Sequence, residues 1–242
     1  MLPFSPRVFV GTMHCNEGDF EDCKSAVQLQ VGVSVYHEII SGLPEKVAHN
    51  KLWEAWRQNK HKFDMFVKVD ADTVLSHNMV LSSFWDMMQQ NPRITGIQAP
   101  LSDYFTDGFI NGLNCFSPKV TFRDTGDSLF CDRQVDVDHD IVVKAQGVVE
   151  QLRPAGLHCF QSTEKQAFHF GLHRALKKQD EIIDRVHSAW QKYGDRIRAI
   201  ALLGATYTKD FNDKQHFNYN DHKFDVVFSE AMIKYNELSS VV

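Results

Sequence analysis

The sequence is poor in the features that place a protein quickly. It has five cysteines, Cys15, Cys23, Cys115, Cys131 and Cys159, an odd number with no C-x-x-C spacing. That argues against a disulfide framework or a zinc ribbon, and reduced thiols in a cytoplasmic protein are expected. No Lys/Arg cluster stands out and the formal net charge is -5, so no footprint for nucleic acid or for an anionic membrane surface is present. No apolar run approaches the roughly 18 residues of a membrane span, so no integral membrane segment is expected. The opening residues Met1-Leu2-Pro3-Phe4-Ser5-Pro6-Arg7 lack the apolar stretch of a signal peptide. Neither G-x-G-x-x-G nor a P-loop occurs, which argues against a dinucleotide oxidoreductase and a P-loop NTPase.

What is present is enough for a sizeable core: 242 residues, 43% hydrophobic, with 18 Phe. Residues 7–12 read as a first strand. A helix over 19–30 puts Phe20, Cys23, Ala26 and Val27 on one face, and 33–40 is a β-branched, aromatic second strand. A helix over 44–59, a buried strand over 63–69, a helix from 76 or 77 to 91 and a strand over 94–100 follow. After a loop, a strand lies over 112–116. The acidic stretch that follows contains a helix start near Asp136, and 148–159 is extended. Thr163-Glu164-Lys165-Gln166 fits a capping box that opens a helix to about residue 178. Helices over 181–193, 195–206 and 225–237 complete the chain. Alternating strands and helices predict an α/β fold with a mostly parallel sheet flanked by helices, followed by a helical C-terminal extension.

Val69-Asp70-Ala71-Asp72 carries the chemistry. It sits where the third strand runs out, and ligands of open α/β sheets bind at the carboxyl ends of strands. Two carboxylates there are hard donors suited to Mg2+ or Mn2+, and such a cation suits a diphosphate. The implied chemistry is metal-assisted departure of a phosphate leaving group. The first strand ends Thr12-Met13-His14-Cys15-Asn16-Glu17, a polar end able to hold a base and ribose through backbone groups and the Glu17 carboxylate. His169 and His173 share a helix face but lack the Glu of H-E-x-x-H, so a polar face is expected there rather than zinc.

The order of these parts resembles glycosyltransferase family 2: a strand ending Thr-x-x-x-Asn-Glu, a helix, a second strand, Ala48-His49-Asn50-Lys51 on a helix, then Val69-Asp70-Ala71-Asp72. The resemblance runs over residues 7–178. It implies a GT-A-like, Rossmann-like catalytic domain over 1–178, with 179–242 as an extension packed on it. It implies inverting transfer of a sugar from a nucleoside diphosphate sugar, UDP- or GDP-type, to a hydroxyl of a glycan or other acceptor. By the same resemblance, Asp70 and Asp72 bind Mn2+ or Mg2+ with His158 completing the metal shell. Thr12, Glu17, Asn50 and Asp70 hold the nucleotide sugar, and the loop with Tyr104, Phe105, Phe109 and Asn111 faces the acceptor. The catalytic base lies among Asp136, Asp138 and Asp140, with Asp138 the best positional match. Two departures stand out. The second strand reads His37-Glu38-Ile39-Ile40 where members carry paired Asp, and the usual Glu-Asp motif is missing. A sugar-phosphate nucleotidyltransferase is the alternative enzyme, disfavoured by the lack of a Gly-rich basic loop after the first strand. A catalytically silent nucleotide-binding domain is the other alternative.

Overall fold

The computed structural model describes residues 5–120, 122–126, 141–144, 153–211 and 221–239, with backbone only at 141–144 and 238–239. Its contacts divide the chain into two units. The first comprises Met1–Tyr104, Gly108–Gly126 and Phe130–Gln161; the second comprises Phe105–Asp107, Asp127–Leu129 and Ser162–Val242.

The first unit is a mixed α/β sheet. Its strands are β1 (Arg7–His14), β2 (Ser34–Ser41), β3 (Met65–Lys68), β4 (Thr73–Leu75), β5 (Ile94–Asp103), β6 (Gly108–Phe116), β7 (Ile141–Lys144) and β8 (Gly156–His158). Helices α1 (Phe20–Gln28), α2 (Glu45–Asn59) and α3 (Val80–Gln90) connect the early strands. The strand order is β2-β1-β3-β6-β5-β8-β4, with β7 pairing β5 off this path. Four pairings are parallel and three are antiparallel. This Rossmann-type arrangement is consistent with a GT-A-like fold. Among the described residues, no helix is long and apolar enough to cross a membrane.

Alternation along β1 explains the two layers. Val8 and Val10 face one side, where they pack with Cys23 and Val27 of α1 and Val80 and Phe84 of α3. Phe9 faces the other side, against Leu52, Trp53 and Trp56 of α2 and Phe66 of β3. The period-2 pattern of the strand meets the i, i+4 pattern of the helices, which is how an α/β sheet buries both faces. The indole of Trp56 donates to the Val120 carbonyl at 3.1 Å, so its polar edge is satisfied in the core.

The second unit holds α4 (Glu164–Leu176), α5 (Asp180–Tyr193), α6 (Arg196–Ala205) and α7 (His222–Ser239). The expected capping box is present: the Thr163 hydroxyl accepts from the Gln166 amide, and the Gln166 side chain accepts from the Thr163 amide, both at 3.2 Å. Gly194, at φ 65°, ends α5 in the left-handed conformation that glycine adopts without strain. Arg198 is buried, and its guanidinium donates to Asp195 at 2.7 Å and to the Phe105 carbonyl at 3.1 Å.

Two local expectations change. Residues 73–75 form β4, too short for periodicity to reveal. Ile141–Lys144 is a strand parallel to β5, so a helix starting near Asp136 cannot run through it. Its Ile-Val-Val run is β-branched, and the ladder with β5 decides its state.

Candidate metal centre

The acidic tetrapeptide lies on the turn between β3 and β4, closed by the Thr73 amide donating to the Asp70 carbonyl at 2.9 Å. Ala71 is buried, while Asp70 and Asp72 on either side are partly buried. The two carboxylates have different neighbours. Asp70 pairs with the Lys68 ammonium, two residues back on β3. Burial pushes the Asp70 carboxyl up, but the Lys68 charge, helped by His49 and His158, holds it below the usual carboxylate range.

Asp72 instead meets β8. The β4–β8 ladder is antiparallel, with Thr73 opposite His158, so Asp72 falls opposite Cys159. The Cys159 amide donates to the Asp72 carbonyl at 2.8 Å. Three side-chain donors then converge. His158 Nε2 lies 3.6 Å from Asp72 Oδ2. Cys159 Sγ lies 3.3 Å from the same oxygen and 3.5 Å from His158 Nε2. Asp72 Oδ1 is buried and has no hydrogen-bond partner among the described residues. A buried acceptor left open costs on the order of 1–3 kcal/mol unless a ligand satisfies it.

The imidazole is held from behind. Asp103, fully buried at the end of β5 and in register with His158, lies 2.7 Å from His158 Nδ1. A carboxylate on one ring nitrogen fixes the tautomer and turns the other nitrogen's lone pair toward the site, the usual support for a metal-bound histidine. Asp19, also buried, accepts the Gln161 amide on both oxygens at 3.0 and 3.1 Å, which fixes the chain just past Cys159. The donors and their support therefore fit a divalent cation. Replacing Asp103 by Asn is expected to weaken divalent-metal binding by about 10- to 100-fold with the fold intact; isothermal titration calorimetry checks this.

The surrounding charge is mostly negative. Glu17, at the end of β1, accepts the Cys15 amide at 2.5 Å. Burial raises its carboxyl to about 7, against the Cys15 hydrogen bond, and Asp72 and Asp70 add to the rise. Burial likewise raises Asp19, with Asp72 contributing. Burial is the larger cause in both cases, and the neighbouring carboxylates add to it. For Glu17 the pH consequence has a definite sign. Below about 4.5 the folded and unfolded chains both carry the proton; between 4.5 and about 7 only the folded chain keeps it. Its contribution to stability is therefore present at low pH and is lost as pH rises through about 7. In EDTA, the stability difference between the protein and Glu17→Gln is expected to drift across that window, as urea unfolding at stepped pH would show.

The remaining expected site residues fall in several places. Thr12 is fully buried and its hydroxyl lies 2.9 Å from His37 Nε2, so it faces the sheet interior rather than an open pocket. Burial lowers His37 to about 4, which keeps that ring neutral at pH 7. Asn50 is engaged at both ends of its amide by the Thr125 backbone, at 2.6 and 3.4 Å. Phe105 is buried and stacks on Phe170 within the second unit, whereas Phe109 is exposed. Tyr104 packs edge-on against Phe160 at 5.9 Å, next to His158 and Cys159 in sequence. In the second unit, His169 and His173 sit with ring centroids 5.3 Å apart, and Phe224 packs edge-on against His169. Asp136, Asp138 and Asp140 lie outside the described residues.

No protein-family model matches the chain, and no curated protein matches it in sequence. Among solved structures, the chain is similar to the mannosyltransferase PcManGT from Pyrobaculum calidifontis in complex with GDP-Man and Mn2+. That match is 12% identical, covers 85% of this chain and 74% of that one, and has a TM-score of 0.42. It is also similar to a glycosyltransferase involved in glycosylation of the major capsid of PBCV-1, 18% identical over 46% of this chain, with a TM-score of 0.33. The matched part spans 60% of the length of that second structure.

Two residues of the centre escaped the sequence. Asp103 lies beyond the expected end of its strand, because β5 continues past Pro100 through an irregular register. Cys159 looked like one more reduced thiol. The signal that could have found it is its place directly after His158, where a tight turn can aim both side chains at one point.

Proposed function

We propose that this chain is a metal-dependent glycosyltransferase that moves a sugar from a nucleoside diphosphate sugar to an acceptor hydroxyl. The observation that carries the proposal is the meeting of Asp72 and His158 at the carboxyl end of the sheet, with the open Asp72 Oδ1 and the Asp103-backed imidazole. A bound divalent cation, Mn2+ or Mg2+ by the resemblance, would supply Lewis-acid stabilisation of the departing diphosphate. Asp72 and His158 hold the cation, and Asp103 keeps His158 in the ligating tautomer. Asp70, fixed by Lys68, faces the nucleotide sugar from the edge of the site. Glu17 caps the nucleoside side at the end of β1. Thr12 and Asn50 act as positioning residues, Thr12 through His37 and Asn50 through Thr125. One of Asp136, Asp138 and Asp140 takes the acceptor proton, and the transfer inverts the anomeric centre, as in the family that the sequence resembles.

Thermal-shift screening tests this reading. Nucleoside diphosphates, each with and without Mn2+, are expected to give a metal-dependent rise in Tm for one base. Binding at about 100 times Kd adds about 2.7 kcal/mol, roughly 5–10 °C for a chain of this size. No metal-dependent rise with any nucleotide would contradict the proposal.

A further inference from the structure

The three side-chain donors at the centre stand close enough to meet one cation. The edges of their triangle are 3.6 Å from His158 Nε2 to Asp72 Oδ2, 3.3 Å from Cys159 Sγ to Asp72 Oδ2, and 3.5 Å from Cys159 Sγ to His158 Nε2. Bonds of about 2.0–2.1 Å to nitrogen and oxygen and about 2.3 Å to sulfur, at tetrahedral angles, place donors roughly 3.3–3.6 Å apart. The three donors are therefore close enough to share one cation, and their chemistry, one carboxylate, one imidazole and one thiolate, sets which cation that is.

A second observation concerns the cysteine itself. Cys159 has φ 61°, a left-handed conformation that glycine holds without strain and other residues adopt rarely. Strained positions of this kind cluster at ligand clamps. Here the conformation turns a buried sulfur toward the third corner. Glycine would relieve the backbone and lose the donor.

From these features we infer that Cys159 is a third ligand, making Asp72, His158 and Cys159 a mixed oxygen, nitrogen and sulfur tripod that takes Zn2+ or Co2+ ahead of Mn2+ and Mg2+. The inference rests on the metal-dependent reading above and narrows its cofactor. Carboxylate alone suits Mg2+ and Mn2+, whereas imidazole and thiolate together shift preference to later first-row metals. The thiol releases its proton to solvent as the metal–sulfur bond forms. Three protein ligands leave a fourth position open, the arrangement of a catalytic rather than a structural tetrahedral site. That position suits an oxygen of the diphosphate.

Co2+ titration of the full chain tests the inference by spectrum rather than by turnover. A sulfur-to-cobalt charge-transfer band is expected in the near ultraviolet, saturating at one equivalent and persisting in excess Mg2+. Cys159→Ser is expected to lose the band and to bind Co2+ at least about tenfold more weakly. X-ray absorption at the zinc edge of the unsubstituted protein, which needs no variant, is expected to show one sulfur at about 2.3 Å. Co2+ bound with no sulfur band, or Zn2+ with no sulfur neighbour, would overturn the thiolate assignment and leave the proposed function standing. No binding of Co2+, Zn2+ or Mn2+ would remove the metal centre and the proposed function with it.

Discussion

Asp72→Ala is expected to abolish the metal-dependent part of nucleotide binding and to cut sugar transfer by about 10^3-fold. The magnitude follows from the role. A cation on a departing phosphate is worth several kcal/mol of charge stabilisation, and about 4 kcal/mol corresponds to three decades in rate. Asp72 Oδ2 lies near both His158 Nε2 and Cys159 Sγ, so its removal dismantles the donor set. The fold should survive, because the link between the two chain segments here runs from the Cys159 amide to the Asp72 backbone carbonyl. Asp70→Ala is expected to behave differently. It removes the carboxylate that pairs with the buried Lys68 ammonium, so Tm falls while the metal affinity of the Asp72 set changes less. Calorimetric titration of both variants with the same metal, beside their melting curves, separates the two carboxylates.

The second large effect lies in the helical unit. Gly171→Ala is expected to destabilise it by about 3 kcal/mol, a loss of roughly 6–12 °C in Tm. In an exposed helix the same change is stabilising by about 1 kcal/mol. The sign reverses here because α4 and α6 cross at backbone contact: a Cβ on Gly171 would lie 1.7 Å from the Ala201 carbonyl oxygen. The crossing is reciprocal, since a Cβ on Gly204 would lie 2.1 Å from the Phe168 carbonyl oxygen. Rigid backbone, not the end of a flexible side chain, blocks the space, so the helices must separate and strip the contacts between them. Gly194→Ala serves as a contrast. Nothing lies within 4 Å of that Cβ, and only the left-handed backbone resists the change. Differential scanning calorimetry should rank Gly171→Ala well below Gly194→Ala; equal midpoints would contradict the close crossing.

Much of this fold is legible in the sequence where local chemistry and tertiary demand agree. The run before Asp70 is apolar enough to be a strand in any context, and it pairs on both sides. Thr163 and Gln166 announce the start of α4 because a capping box satisfies itself locally. Legibility fails where a residue's role depends on a distant partner. Lys68 reads as an interruption in an apolar strand until its pairing with Asp70 is seen. Asp103 reads as loop until β5 lengthens to place it behind His158. Cys159 has only its place after His158 as a signal, because its meaning comes from the antiparallel register that sets it opposite Asp72. Thr12 is a further case: a polar residue near a strand end reads as ligand contact, and the partner its hydroxyl meets, His37, lies on the neighbouring strand.

Product analysis with a panel of nucleotide sugars is the most direct test of the central claim. The protein is incubated with each donor and a hydroxyl acceptor, with and without a divalent cation. The account predicts release of a nucleoside diphosphate together with a glycosylated acceptor, only with metal and not with Asp72→Ala. Release of pyrophosphate in place of a nucleoside diphosphate would contradict it, as would transfer that proceeds equally well in EDTA.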